Sequence, residues 1–131
     1  MPAALGLAPK GPIPAHAREP LRARLERHAE TRWAGRCREI AVRFRGPYAY
    51  VDAYADEPEC PPWTTKEQRA GLAATPTHLC RLGYLGSADL WAFAFYKYSD
   101  ESYEPSVLFS GSPVGAPEEA FDCAAFVYLQ G

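Results

Sequence analysis

In the stretch Arg45-Gly46-Pro47-Tyr48-Ala49-Tyr50-Val51-Asp52-Ala53-Tyr54, tyrosines fall at alternate positions and arginines crowd the residues just before them. Aromatic rings on one face of a strand can stack on unpaired bases, and guanidinium groups beside them can meet phosphates. Arg36, Arg38, Arg43 and Arg45 with Tyr48 and Tyr50 are therefore the candidate nucleic-acid-binding residues, although tyrosines on a strand serve equally well as half-buried cover for a core. Acid–base chemistry would have to draw on Asp52, Asp89 and Glu104 with His78 as a base, and no catalytic spacing joins them. Asp89 reads as a turn residue and Glu104 as a solvated loop charge. Asp52 reads as half of a cross-strand ion pair with Arg43 or Arg81. There is no G-x-S-x-G, H-E-x-x-H, phosphate-binding glycine loop or Cys/His nucleophile signature, so no catalytic residue is assigned.

Cys37, Cys60, Cys80 and Cys123 contain no C-x-x-C pair. Without a secretory signal, and with enough chain to build a core unaided, reduced thiols are expected, Cys80 and Cys123 acting as small hydrophobes among apolar neighbours. His78-x-Cys80 would point two ligands to one face of a strand, but no second pair lies nearby, and neither a metal nor a cofactor is expected.

The chain that must position these residues has 131 of them, 47% hydrophobic, 13% aromatic and 23% charged, the profile of one globular domain. No apolar run reaches the ~20 residues that span a bilayer. The opening MPAALGLAPKGPIPAH is interrupted by Gly6, Pro9, Gly11, Pro12 and Pro14 before a signal-peptide core could form, so a cytoplasmic location without membrane contact is expected. The net charge of −2 conceals a split: residues 1–46 hold ten basic and four acidic side chains, and the remainder holds four basic and twelve acidic. The two halves either attract each other within the fold or leave the basic half to face a polyanion.

A flexible proline-rich start over residues 1–18 leads, in this reading, to a single domain over 19–131. Pro20 suits a first helical turn, and Leu21, Leu25, His28 or Ala29 and Trp33 make one narrow apolar stripe, predicting a helix over 20–37. The period then becomes twofold in residues 40–46 and 48–54, a hairpin around Gly46-Pro47 with Tyr48, Tyr50, Asp52 and Tyr54 on one face. Residues 55–77 read as a long loop with one helical turn near Lys66 to Leu72. Strands over 78–86 and 90–99 form a second hairpin, the latter with Trp91, Phe93 and Phe95 opposite Ala92, Ala94, Tyr96 and Tyr98. Asp100 to Pro105 reads as an acidic turn and Ser106 to Ser110 as a short strand. Pro117, Glu118 and Glu119 suit the start of a last helix, which runs to Leu129 with an apolar arc formed by Phe121, Ala124, Ala125 and Tyr128 and widened by Ala120, Cys123 and Val127. The fold class is α+β: an antiparallel sheet of four or five strands, an N-terminal helix and a buried C-terminal helix.

Three resemblances attach to these residues. VRFRGPYAYVDAY, LCRLGYLGS, LWAFAFYKYSDESYEPS and SGSPVGAPEEAFDCAAFVYL, within residues 40–129, resemble a group of short uncharacterised bacterial proteins and imply no function. Gly115-Ala116-Pro117-Glu118-Glu119-Ala120 after a hairpin and a short strand is similar to HicB-like antitoxin domains, which implies a partial RNase H-like fold and a small toxin as partner. Here Ala116 replaces the capping Thr of that family, and P-E-E-A is also sound chemistry for any helix start. Residues 45–54 resemble the RNP1 pattern of RNA-recognition motifs, with Pro47 inserted, Ala53 where an aromatic is expected, and no strand before the first helix.

Apolar excess on the last helix and on the strand over 90–98 leads to the expected function, a small accessory protein that binds a protein partner or its own copy through Trp91, Phe93, Phe95, Phe121 and Tyr128. Binding of single-stranded RNA or DNA by the arginine-rich segment is the alternative, weakened by Glu26, Glu30 and Glu39 interleaved with the arginines.

Overall fold

The structure, a computed structural model, describes residues 9, 11–55 and 60–129. The first helix, α1, spans Ala15–Arg32. It starts five residues before Pro20, because Ile13 is fully buried, donates its backbone N–H to the carbonyl of Gly46, and accepts from Arg18 Nε. That anchor fixes the first turn, so Pro20 lies inside the helix and not at its start. Of the proline-rich start, residues 1–8 and 10 lie outside the described residues. Leu21, Leu25 and Ala29, four apart, form the buried stripe. The helix stops at Arg32, short of the predicted residue 37. Gly35 takes a φ of 86° there, and the N–H groups of Arg36 and Cys37 close onto the carbonyl of Trp33.

Strands β1 (Cys37–Arg45) and β2 (Tyr48–Ala55) form the expected hairpin. Helix α2 (Lys66–Ala74) opens on a reciprocal capping box between Thr65 and Gln68 and buries none of its residues. Strands β3 (Thr77–Tyr84) and β4 (Trp91–Lys97) make the second hairpin. β5 (Ser102–Pro105) corrects the expectation of a turn over 100–105 and a strand over 106–110. Asp100 and Glu101 donate their N–H groups back to Lys97 and Tyr98, with Glu101 at a φ of 51°, so the chain reverses at once and Ser102 already pairs with Lys97. Residues 106–112 then fold into a loop around buried Leu108, ahead of the two-residue β6 (Val114–Gly115) on the start of β4.

The sheet order is β1-β2-β3-β4-β5, all antiparallel, with β6 also on β4. Helix α3 (Pro117–Tyr128) packs on β3 and β4, while α1 packs on β1 and on α3. Both helices cover one face, where Val51, Leu82, Trp91 and Phe93 meet Leu25 and Phe121 in the core. The fold is α+β, as the sequence indicates. The wide apolar arc of α3 is thereby explained: the sheet covers one side, α1 a second, and the 108–110 loop a third, through Phe109 N–H on Cys123 Sγ and Ser110 N–H on Glu119. Val127, expected in the core, faces outward beside Phe126.

Candidate functional site

Alternation sends the remaining side chains of the sheet to the face turned away from α1 and α3. Arg43, Arg45, Tyr48, Tyr50, Asp52 and Arg81 share that face with Tyr96 on β4 and Tyr103 on β5, because the register pairs Arg43 with Tyr50, Arg45 with Tyr48, Tyr50 with Arg81, and Tyr96 with Tyr103. Asp52 is the one buried charged residue among those described, at 3% exposure. A bulge where β2 meets β3, between Val51 and Asp52, puts His78 opposite it. His78 Nδ1 lies 2.8 Å from Asp52 Oδ1 and Arg43 Nη2 lies 3.4 Å from Oδ2, so both carboxylate oxygens meet a cation or an N–H donor. Of the two partners expected for Asp52, the structure supplies Arg43. Arg81 instead stacks on Tyr48, its guanidinium carbon 4.1 Å from the ring centroid.

Around this pair the rings interlock. Tyr50 meets Tyr103 edge-on at 5.1 Å, Tyr96 meets Tyr103 at 4.9 Å, and the His78 ring lies 4.7 Å from Tyr96. The His78 backbone N–H donates to the Tyr98 hydroxyl. Tyr103 has a buried hydroxyl with no hydrogen-bond partner among the described residues, and desolvation, reinforced by the Asp52 charge, pushes its pKa up to about 12. An imidazole held through Nδ1 by a carboxylate can use Nε2 as a base or a donor. Cys80 stays out of such chemistry, because full burial raises its thiol pKa far above the ordinary range. Cys60, Cys80 and Cys123 are free thiols, and among the described residues no three metal-binding side chains gather.

The other candidates disperse. Arg36 is exposed in the turn after α1. Arg38 pairs with Glu39 at 3.1 Å, donates to the carbonyl of Ala73 and sits over Tyr54. Asp89 belongs to Arg24 and Glu104 to Lys97. Among the residues expected to meet a partner, Trp91, Phe93 and Phe121 are core, at 2% exposure or less, and so are already covered by the chain itself. Phe95 and Tyr128 are half-buried. They line a groove of about 240 Å³ with Tyr96, Lys97, Glu104, Pro105, Ser106 and Val127. Val127 is 57% exposed there, and beside it stand exposed apolar residues that sequence reasoning did not single out: Phe109 (67% exposed) and Phe126 (56%), with Val107 also exposed. The rings of Phe109 and Phe126 meet edge to face at 6.0 Å. Of these exposed residues, only Val127 had a signal in the sequence, as part of the wide apolar arc of α3.

No protein-family model, no curated protein and no solved structure matches the chain. No described helix is long and apolar enough to cross a membrane.

Proposed function

We propose that the chain is a small non-enzymatic accessory protein that acts by docking a protein surface, either a partner's or that of its own copy. The docking face is the outer side of α3 together with the loop that carries Val107 and Phe109. One observation carries the reading: Phe109, Phe126 and Val127 are each more than half exposed and stand beside an apolar groove. Large apolar side chains grouped on a surface cost hydration free energy that a partner relieves. A protruding ring pair beside a groove is also a shape that two copies related by a twofold axis can exchange. The similarity of residues 115–120 to the antitoxin helix start points to the same class of occupant, a protein.

The test compares the wild type with Phe126→Glu by sedimentation over a concentration series and by crosslinked capture from the host. The reading expects an association that Phe126→Glu abolishes while the circular dichroism spectrum stays unchanged. A monomer at every concentration, with the same proteins captured by both forms, removes it.

A further inference from the structure

We infer that the sheet face turned away from α1 and α3 binds single-stranded nucleic acid, with Tyr48 and Tyr50 as stacking platforms and Arg45 and Arg81 as the phosphate-facing groups. This surface is separate from the α3 docking face and does not depend on it. Tyr48 and Tyr50 stand two apart on β2 with ring centroids 6.2 Å from each other, each with a guanidinium over it: Arg81 over Tyr48 at 4.1 Å and Arg43 over Tyr50 at 5.4 Å. A ring edged by a guanidinium plane presents a flat, cationic surface, the arrangement on which unpaired bases stack without sequence preference.

Charge complementarity selects the occupant. Arg22, Arg24 and Arg38 each hold a carboxylate, so those arginines are consumed within the fold. Arg45 and Arg81 make no ion pair among the described residues, and both flank Tyr48, one as its cross-strand partner and one stacked on its ring. Of the two acids that the register places on this face, Asp52 is buried and held by Arg43 and His78, and Glu39, at the far end opposite Tyr54, is paired with Arg38, so both charges are largely compensated before a phosphate arrives. The end of the face near the β1–β2 turn, where Pro9 packs against Gly83 beside Tyr48, is therefore basic and aromatic, whereas the opposite corner holds Asp100 and Glu104 around Lys97. A strand of linked phosphates and planar bases fits the first and avoids the second. A duplex keeps its bases stacked on one another, with their faces unavailable to rings lying on a sheet.

Fluorescence anisotropy with mixed-sequence single-stranded RNA and DNA oligonucleotides at low salt tests this, using the full chain. Binding should weaken as salt rises. Arg45→Ala, at an exposed position where the fold is not at stake, should lower the log–log salt slope by roughly 0.7, one phosphate contact's worth for a single strand. Tyr48→Leu, which keeps the apolar volume and loses the ring, should weaken binding about tenfold, within the range that one lost stacking contact spans. Phe126→Glu, on the other surface, should bind as the wild type does. The inference is overturned by the absence of a shift at micromolar protein, by binding that Arg45→Ala and Arg81→Ala together leave intact, or by equal affinity for duplex. Competition by polyglutamate as strong as that of the oligonucleotide would also overturn it, identifying an acidic-peptide surface.

Discussion

Asp52 shows how much one side chain can depend on a distant irregularity. With Tyr50 opposite Arg81 and Val51 opposite Cys80, an unbroken ladder would set Leu79 against Asp52, whereas the bulge sets His78 there. The alternation of β2 made the tyrosine face and an Arg43 pairing legible in the sequence, but a bulge is decided by the packing of two strands and leaves no local signal. Replacing the carboxylate leaves Arg43 and His78, both partly exposed, without their partner. Asp52→Ala should therefore cost about 1–3 kcal/mol in urea unfolding, and Asp52→Asn less, since the amide still accepts one hydrogen bond. Glu118 contributes to stability in acid. Desolvation alone would raise the pKa of Glu118, but the hydrogen bonds and charge of Arg24 outweigh it and hold the group below its ordinary value. A depressed folded pKa stabilises fully above the unfolded value and is lost as pH falls through the folded one. Unfolding titrations should thus show stability falling in acid below about pH 4.5, less steeply in Glu118→Gln, by under about 1 kcal/mol because the pair is partly solvated.

Within α3, neighbouring phenylalanines should behave as opposites. Phe121 is fully buried against His28 and Trp33, and Phe121→Ala should cost about 3–5 kcal/mol, whereas Phe126→Ala should stay within about 0.5 kcal/mol, both read from denaturant midpoints. The start of this helix was legible because Pro117, Glu118 and Glu119 are local signals. Which flank of its arc would be covered was not, because that depends on where α1 lies, and so Val127 was misplaced. The same division explains α1: its stripe of Leu21, Leu25 and Ala29 was readable, but its first turn is held by Ile13 bonding to Gly46, a contact across the chain. α2 offers a contrast. Its capping box makes it locally self-sufficient, yet it buries nothing, so Thr65→Ala should speed amide exchange across residues 66–74 while leaving the global unfolding midpoint nearly unchanged.

At the scale of the molecule, the basic and acidic halves of the sequence are tied together where the helices meet. Arg24 joins Glu118 and Asp89, and His28 and the Trp33 indole both reach Asp122, so α1 and α3 run side by side in the same direction. Internal attraction between Arg24 and Glu118 or Asp89, and between Arg43 and Asp52, accounts for part of the charge split. Truncation after Ser112 should abolish cooperative unfolding and near-ultraviolet dichroism, because Phe121, Ala124 and Ala125 leave the core together. The position of α3 also bears on how the chain is made. Synthesis delivers the sheet first and its lid last, so Leu82, Trp91 and Phe93 face water or a chaperone while translation continues. Only the arrival of residues 117–129 seals them, and a ribosome stalled just short of that helix holds a sticky, unfinished sheet.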